Sequence, residues 1–556
     1  MNAMESAAVV GSMLGIVFAR QQLSNLARFV GGGKATLEPE TPHRLECDYL
    51  VVGAGAASLA FVDTLLTELP RAEVVLVDRH DAPGGHWNDA YDFVRLHQPS
   101  IVYGLASRKL EGSWLWNFLQ CRAPWKHRAN KSEILAHFTS GVRDWVKSGR
   151  VRYYPRCEYD FSQPEAVHSE GGTLRRFRGC DGSTEYTALV RHKVVNGTEH
   201  EPLIPSRCPL PFPVDKGVEV ITPNDLAASK KRRDAYVVLG CGKTGMDVVV
   251  YLQRKMRVDP KRIHLVVPSD VWIWNRFPPE IWRRGGPWDY VHRYLELDGD
   301  FDKTLLSLEA EGLFFRLDPG RMPTVLRHPI IEQGELDLLK RTNHIRRGRV
   351  SSIVRASNGK DVLVKFGPNF LPLTFAENTA FVHCCSPGPF NGHLAAFTGG
   401  SVDVFDSPTS VSLYIIFTPP ASLPSCAIAY LEAAARRGTL DLEFGRNLVE
   451  DAALEPWQVL QRLFHPWPAM NRGCKEQVAP ILNLALFFAV ADRDCLEVLR
   501  WFRGNKLSLF STLYYRSNMW NALNAMAAKR DVLRLTAWEE RVVRKLIVKL
   551  EPIKEF

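Results

Sequence analysis

Two glycine-rich turns, each between an apolar strand and a helix, constrain the fold of this chain more than any other feature. The first turn, GAGAAS at residues 53–58, follows the apolar run Tyr49–Val52 and precedes a helical pattern that ends near Leu69. A second apolar run, Glu73–Val77, leads directly to Asp78, which is 25 positions (78 − 53) after the first glycine. Strand, glycine turn, helix, strand and acid in this order are typical of a dinucleotide-binding unit.

The residues of the first turn have separate expected roles. Gly53 permits the tight turn, and Gly55 lets backbone N–H groups approach a pyrophosphate at the helix N-terminus. Asp78 can accept hydrogen bonds from a ribose, whereas Ser58 replaces the third glycine, whose usual role is close helix–strand packing. The alternative is a purely structural glycine turn. The candidate residues of this first site are Gly53, Gly55, Ala57, Ser58, Asp78 and Arg79.

A second unit repeats this pattern. Strand Ala235–Leu239 is followed by GCGKTG at residues 240–245, then by a helical pattern over Met246–Lys255 and a strand at Ile263–Val267. The spacing does not fit a phosphate-binding P-loop, so a dinucleotide is favoured over ATP. The candidate residues of this second site are Gly240, Gly242, Lys243, Thr244 and Gly245.

The end of the second strand bears on which nicotinamide cofactor is bound. Pro268 and Ser269 stand where an acid would bind a ribose 2′-hydroxyl and repel a 2′-phosphate. Its absence favours NADPH over NADH, although NADH remains an alternative. Lys243 and Arg276 are the nearest cations for such a phosphate, and the alternative for each is an ordinary surface charge.

A strand-rich region with glycine turns follows each unit, over Tyr153–Val195 and over Arg349–Val382. The sequence therefore predicts an α/β fold with two Rossmann-like domains, each with a small β-meander. From Ser425 onward the pattern becomes helical, which predicts a helical C-terminal region.

Several motifs resemble the two-dinucleotide-binding-domain flavoproteins, and among these the flavin-containing (class B) monooxygenases and similar NAD(P)/FAD-dependent oxidoreductases. The first fingerprint resembles the FAD site of that family, and the second resembles its NADPH site. Gly85, His86 and Trp87 match the family's Gly-Gly-x-Trp motif along the flavin, and His97 and Gln98 occupy a segment near the flavin ring. The resemblance implies that all five belong to the cofactor site.

One departure from the family concerns oxygen transfer. Oxygenating members carry a Phe-x-Gly-x-x-x-His segment before the second fingerprint, and the stretch from Phe212 to Val218 has no histidine at the matching place. The sequence assigns no catalytic residue. We therefore expect an NADPH-dependent, flavin-monooxygenase-like enzyme that acts on a small organic substrate. The alternatives are a reductase or oxidase without oxygenation, and a flavin-binding sensor or interaction protein.

The resemblance also predicts the domain order. The first part of the FAD domain covers residues 46–205, and the NAD(P)H domain covers 206–385 with an aromatic insertion at 277–327. The chain returns to the FAD domain at 386–440, and 441–556 form the helical region. The insertion is interpreted either as a cap over the active site or as a surface elaboration.

Composition excludes other classes of partner. A net charge of +9 on 556 residues is too small to favour nucleic acid. The 11 cysteines include no CxxC pair, and their spacing with histidine fits no metal site, so we expect reduced thiols in an intracellular protein, cytoplasmic or organellar.

The first 45 residues are predicted to be an N-terminal extension. Ala7–Ala19 is apolar but shorter than the roughly 20 residues that span a bilayer. A packed or flexible extension, a membrane-surface anchor and an organelle transit peptide are the three interpretations. The sequence leaves the oligomeric state open.

Overall fold

The computed structural model describes most of the chain after the N-terminal extension. It describes residues 45–551 except 113–125, 170, 200–201, 230, 277–286, 343, 369, 387–402, 418–420, 467–473, 494 and 509–511. The apolar segment Ala7–Ala19 lies outside the described residues. None of the helices within the described ranges is both long and apolar enough to cross a bilayer.

The first sheet forms around the first glycine turn. Its strand order is β3-β2-β1-β7-β6-β4, with β19 parallel to β7 and β5 paired with β6. Strands β3, β2, β1, β7 and β19 are parallel, and β4, β5 and β6 form the antiparallel meander. The strands are β1 (Leu45–Val52), β2 (Val74–Val77), β3 (Val151–Tyr154), β4 (Cys157–Tyr159), β5 (Ala166–Val167), β6 (Thr173–Gly179), β7 (Glu185–Asn196) and β19 (Ser410–Ser412).

Two helices cover this sheet. Helix α1 (Ala56–Glu68) connects β1 to β2 and is buried along most of its length. Helix α2 (Lys131–Lys147) begins with a capping box, in which Asn130 accepts from the Glu133 backbone N–H and Glu133 accepts from that of Asn130. This box satisfies two of the orphan N–H groups of the first turn.

The second sheet is parallel throughout, with the order β14-β10-β9-β18-β8. Strands β9 and β10 have the bounds that the sequence predicted. A separate antiparallel meander, β15-β16-β17, packs beside it. The strands are β8 (Val220–Ile221), β9 (Ala235–Leu239), β10 (Ile263–Val267), β14 (His344–Arg347), β15 (Val350–Arg355), β16 (Val362–Phe366), β17 (Leu373–Phe375) and β18 (Thr379–His383); the helices are α3 (Pro223–Ala228), α4 (Lys243–Arg254) and α7 (Gln333–Arg341).

Two helices lie within the predicted insertion, although residues 277–286 lie outside the described part, and a small sheet forms from strands within it and on either side of it. Strand β11 (Val271–Asn275) lies between β12 (Phe314–Phe315) and β13 (Val325–Ile331). Helices α5 (Pro287–Glu296) and α6 (Phe301–Ala310) pack into the core that contains the C-terminal helices. The described part of the insertion therefore shares a core with the C-terminal helices.

The C-terminal region is helical, as predicted. Its first helix ends at Gly438, which adopts a left-handed conformation with a φ of 71°. The helices are α8 (Ser422–Arg437), α9 (Leu442–Val449), α10 (Pro456–Leu463), α11 (Cys474–Val490), α12 (Leu496–Gly504), α13 (Thr512–Ala528), α14 (Arg530–Leu533) and α15 (Ala537–Leu550).

Helix α8 joins this region to the first sheet, because it packs directly on α1. The Cys426 thiol donates to the Ala60 carbonyl oxygen at 3.6 Å, and both residues are fully buried. The C-terminal helices therefore share one hydrophobic core with the first unit. The predicted fold class is confirmed; the domain boundaries stay predictions.

Candidate active-site cleft

One cavity of about 1410 Å³ lies against both glycine turns. It opens at the carboxyl ends of the parallel strands, where open α/β sheets bind ligands. All the predicted site residues except Ser58 and Gly245 line it: Gly53, Gly55, Ala57, Asp78, Arg79, Gly85, His86, Trp87, His97, Gln98, Gly240, Gly242, Lys243 and Thr244. The cavity is larger than the roughly 300–1,000 Å³ of a site for one small ligand.

The first glycine turn presents the N-terminus of α1 to this cavity. Gly55 is the N-cap, and no side chain caps the helix. The backbone of Gly85 crosses close to Gly55, and a Cβ built on Gly85 would lie 2.8 Å from the Gly55 Cα. The free backbone N–H groups and the room that glycine leaves fit a pyrophosphate.

Ser58 does not line the cavity and is fully buried. It faces the end of β7, where a Cβ built on Gly197 would lie 1.7 Å from the Ser58 Oγ. Close helix–strand packing is therefore retained, but the glycine that permits it, Gly197, directly follows strand β7 and is not on the helix. The sequence motif alone could not show this exchange.

In the second turn the third glycine, Gly245, lies on the helix that follows the turn. A Cβ built on Gly245 would lie 2.0 Å from the Gly240 carbonyl oxygen. Gly245 therefore permits close packing of the helix on the turn, and it does not line the cavity. Gly242 is the N-cap of α4, no side chain caps this helix, and a Cβ at Gly242 would meet no atom within 4 Å. A second uncapped helix N-terminus thus faces the same cavity.

Asp78 fixes the first turn through hydrogen bonds that its carboxylate accepts from backbone N–H groups. It accepts from the Ala54 backbone N–H at 2.5 Å through Oδ2, and from the His80 backbone N–H at 2.7 Å through Oδ1. The His80 ring adds a further contact to Oδ1 at 2.8 Å and contacts Asp89 Oδ2 at 2.9 Å. His80 also lines the cavity, although no sequence motif marks it.

Lys243 connects the two units. It is buried and ion-paired with Asp247 one turn later on α4, and Asp247 accepts a hydrogen bond at 2.9 Å from the Tyr91 hydroxyl of the first unit. Burial lowers the pKa of Lys243 and raises the pKa of Tyr91. Lys243 is therefore not an ordinary surface charge.

Arg276 is also buried, which excludes the surface interpretation for it as well. Its Nη1 lies 2.9 Å from Glu335 Oε2, and Arg128 Nη1 lies 3.0 Å from Glu335 Oε1. Burial alone would raise the pKa of Glu335, but Arg276, Arg128 and Lys243 outweigh it and lower that pKa to about 2. The Arg276 Nε donates to the His97 carbonyl oxygen at 2.5 Å, so this cluster fixes the predicted flavin-side segment.

Two histidines that line the cavity are neutral at physiological pH. Burial lowers the pKa of His86 to about 4, and burial followed by Lys243 lowers the pKa of His97 well below its usual value. Trp87 is buried next to His86, and its Nε1 donates to the Tyr103 hydroxyl at 2.7 Å.

A cation that the sequence analysis overlooked lies at the end of β10. Asp270 is paired with Arg347 at 2.9 Å, so this acid is neutralised by a partner on the neighbouring strand. The next arginine, Arg349, is exposed and lines the cavity together with Pro268 and Ser269. Only the pairing of β10 with β14 brings Arg349 to this position.

Two adjacent thiols also line the cavity, at the end of β18. Burial raises the pKa of Cys384 well above its usual value, and it raises the pKa of Cys385 to about 11. Both thiols are therefore protonated at neutral pH. This favours structural cysteines over reactive ones.

An apolar part of the cavity wall comes from elements distant in sequence. Trp274 and Leu326 come from the small sheet, whereas Ile415 and Ile481 come from the return segment and from α11. Asn483 on α11 is buried and donates to the Ile416 carbonyl oxygen at 2.7 Å, which fixes the return segment. This part of the cavity suits an uncharged organic molecule.

Comparison with known proteins gives partial sequence matches. No family model matches the chain. It is 37% identical over 324 residues to the uncharacterized protein Mb2023 of Mycobacterium bovis and to the uncharacterized protein Rv2000 of Mycobacterium tuberculosis. The alignment covers 56% of this chain and 56% of each relative, so the chain spans about half the length of the curated relatives it matches.

Solved structures that are similar to this chain include two monooxygenases. The open structure of cyclohexanone monooxygenase is 15% identical, with a TM-score of 0.45 over 71% of this chain and 89% of that one. An oxidized steroid monooxygenase bound to NADP is 13% identical, with a TM-score of 0.43 over 80% and 98%.

Proposed function

We propose that this protein is an FAD- and NADPH-dependent oxidoreductase of the flavin-monooxygenase kind, acting on a small organic substrate. One observation carries the proposal: a single cavity receives two uncapped helix N-termini, one from each parallel sheet. Each such N-terminus favours a pyrophosphate, so the cavity suits two dinucleotides that face each other.

FAD would be held by the first unit. The backbone N–H groups at the start of α1 bind the pyrophosphate, and Asp78 accepts hydrogen bonds from the ribose. The Gly84–Gly85 turn leaves room beside the pyrophosphate, because a side chain at Gly85 would collide with the backbone of Gly55. The neutral imidazoles of His86 and His97 add no charge to the cavity wall at physiological pH.

NADPH would be held by the second unit. The start of α4 binds the pyrophosphate, Gly242 leaves the approach open, and Arg349 supplies a cation beside the strand end where the ribose acid is missing. Lys243 is ion-paired with Asp247, so its part is to connect α4 to the first unit through Tyr91.

The chemistry itself would come from the cofactors, which when bound would supply hydride transfer from the nicotinamide to the flavin and reactivity towards O₂. The chain contributes position, a charge-balanced wall and apolar lining residues that include Trp274, Leu326, Ile415 and Ile481. These apolar residues favour an uncharged substrate with apolar surface.

The visible absorbance spectrum of the purified protein, recorded before and after NADPH is added in air, tests the proposal. We expect a flavin band that bleaches and then recovers. A protein with no flavin band, even after incubation with FAD, would contradict the proposal. A flavin band that NADPH and NADH both leave unchanged would favour a flavin-binding sensor.

A second candidate, an oxidase that releases hydrogen peroxide, is favoured by one feature. Phe212 lines the cavity, but no histidine follows it at the spacing of oxygenating family members. Comparing NADPH consumed with hydrogen peroxide formed separates the two candidates, because an oxidase forms one peroxide for each NADPH at every substrate concentration.

The first prediction concerns Gly242. Gly242→Ala adds a methyl group that meets no protein atom within 4 Å but lies at the N-terminus of α4, where the pyrophosphate would bind. We expect the KM for NADPH to rise at least about tenfold, equivalent to about 1.4 kcal/mol, while the thermal midpoint and FAD content stay unchanged. Steady-state kinetics and a melting curve measure both. An unchanged KM would place the pyrophosphate elsewhere.

The second prediction concerns cofactor choice. Arg349→Ala removes the cation beside Pro268 and Ser269, so we expect the KM for NADPH to rise about tenfold and the KM for NADH to stay within about twofold. Arg346→Ala is the matched control, because the Arg346 guanidinium lies over the Phe366 and Phe370 rings and does not line the cavity. Equal losses for both nucleotides in Arg349→Ala would exclude 2′-phosphate recognition by this residue.

A further inference from the structure

A histidine lies between two carboxylates beside the proposed FAD ribose site. The His80 Nδ1 lies 2.8 Å from Asp78 Oδ1, and the His80 Nε2 lies 2.9 Å from Asp89 Oδ2. A neutral imidazole has one N–H and can donate to only one of these acceptors, whereas an imidazolium donates to both. The two distances together therefore favour the charged form of the ring.

We propose that His80 is a positioning residue that, as an imidazolium, holds the Asp78 carboxylate in the orientation that receives the dinucleotide ribose. This inference rests on the proposed binding of FAD at the first glycine turn. His80 itself transfers no proton to substrate or cofactor. Its action is electrostatic, through the carboxylate that contacts the ribose.

The Asp89 carboxylate, on one side of the His80 ring, is fixed by residues of the segment that leads to the second unit. Asp89 Oδ1 accepts from Arg207 Nη2 at 2.9 Å, and the Asp89 carbonyl oxygen accepts from Asn224 Nδ2 at 2.9 Å. Arg207 belongs to the connector before the second sheet, and Asn224 belongs to α3. Asp89 cannot follow a rotating His80 ring without breaking these contacts.

The His80 residue itself is also held in place by hydrogen bonds of its backbone. The His80 side chain is 11% exposed, its backbone N–H donates to Asp78 Oδ1, and its carbonyl oxygen accepts from the Arg156 backbone N–H at 3.1 Å. With the backbone and Asp89 both held, the ring keeps one orientation. The Asp78 carboxylate is therefore held by the proton of the His80 ring together with the backbone N–H groups of Ala54 and His80.

The charges around the ring favour its protonated form. The Asp78 hydrogen bond raises the pKa of His80; burial opposes it, and Asp89 adds to the increase. Other charged groups nearby are Arg79, which lines the cavity, Arg207, which pairs with Asp89, and the exposed pair Arg156–Asp81 at 3.6 Å. His86 is neutral because its own pKa is near 4, so it adds no repulsion.

Deprotonation turns one of the two contacts into a repulsion between acceptors. A neutral ring that keeps its proton on Nε2 presents a lone pair to Asp78 Oδ1. This lone pair would weaken the hold of the His80 backbone N–H on Oδ1, while Ala54 N–H still holds Oδ2. Because the pKa of His80 is raised, the intact arrangement exists below that pKa and disappears as the pH rises through it. The affinity for FAD is therefore expected to fall on the alkaline side.

Fluorescence titration of the FAD-free protein with FAD, from about pH 6 to about pH 9, tests this dependence. We expect the wild-type Kd to rise about tenfold across the range, which is equivalent to about 1.4 kcal/mol of coupling between the His80 proton and FAD. His80→Gln keeps a neutral donor but no charge, so its Kd should equal the alkaline wild-type value at every pH. Its melting curve serves as the control for folding.

Nuclear magnetic resonance of histidine labelled at Cε1 and at the ring nitrogens provides a readout without cofactor. We expect His80 to carry two N–H protons at neutral pH and to titrate above free histidine, and Asp89→Asn to lower that pKa. A single N–H at neutral pH, or a wild-type pH dependence of FAD affinity in His80→Gln, would overturn the inference. Absence of FAD binding in the wild type at every pH would instead contradict the proposed function and, with it, the ribose role.

Discussion

Replacing Glu335 by glutamine is expected to lower the free energy of unfolding by about 3–5 kcal/mol, since it breaks a buried ion pair and leaves a buried cation. The Glu335 side chain is 5% exposed and lies between Arg276, which is fully buried, and Arg128. Glutamine preserves the shape and the hydrogen bond to the Glu332 backbone N–H, so the substitution removes only the charge.

The same substitution should change the pH dependence of stability. The pKa of Glu335 is about 2 in the folded chain against an ordinary value of 4.5, so its contribution is complete above pH 4.5. That contribution disappears as the pH falls towards 2, because the unfolded chain then binds a proton that the folded chain does not. The wild type should lose stability over this interval more steeply than Glu335→Gln.

Denaturant unfolding at neutral and acidic pH measures both effects. Glu332→Gln is the matched control, because Glu332 lies on the same helix boundary, is 37% exposed and approaches Arg276 only to 3.9 Å. We expect the control to cost less than about 1 kcal/mol. Equal losses in the two variants would show that Arg276 is not compensated by Glu335.

Flavin content gives a second readout of the Glu335 cluster. Arg276 donates to the His97 carbonyl oxygen, and His97 lines the cavity. Loss of Glu335 should therefore displace the segment that the family resemblance places beside the flavin, even where the chain still folds. Lower FAD retention on gel filtration would connect the buried cluster to the site.

The glycine turns could be predicted from the sequence because their geometry is local. Strand, turn and helix are set by neighbouring residues, and the bounds of β9 and β10 follow directly from the apolar runs. The acid at Asp78 was also found, because its distance along the chain from the turn is nearly constant in such units.

The partners of these residues could not be predicted, because they come from distant segments. His80 is near Asp78 in sequence, but its contact with Asp89 depends on the Gly84–Gly85 turn. Arg349 reaches the cavity only because β14 pairs with β10, and Ile481 reaches it only because α11 packs under the return segment. The hydrophobic periodicity of the sequence does not show which distant segments come into contact.

Replacing Gly197 by alanine is the second large effect that we expect. The added Cβ would lie 1.7 Å from the Ser58 Oγ and 3.0 Å from the Val52 carbonyl oxygen, so both α1 and β1 would have to move. Overpacking of a rigid core costs about 1–3 kcal/mol and sometimes more, and we expect about 3 kcal/mol here. Gly53 packs on the Gly197 carbonyl oxygen, so FAD affinity should fall as well.

A double-mutant cycle tests whether Gly197 provides the close helix–strand packing that the third glycine of the motif usually provides. Ser58 occupies the position of that glycine in this chain. Ser58→Gly alone should cost about 0.5 kcal/mol, because glycine is less favourable than serine inside a helix. In the Gly197→Ala background the same change removes the closest collision and should recover about 1–2 kcal/mol, leaving only the contact with Val52. Gly367→Ala, where the added Cβ meets nothing within 4 Å, controls for the substitution itself. Additive losses in the double mutant would mean that Gly197 does not compensate for the helix serine. Recovery would mean that this fingerprint is complete, with its third glycine displaced from the helix to the position that follows strand β7.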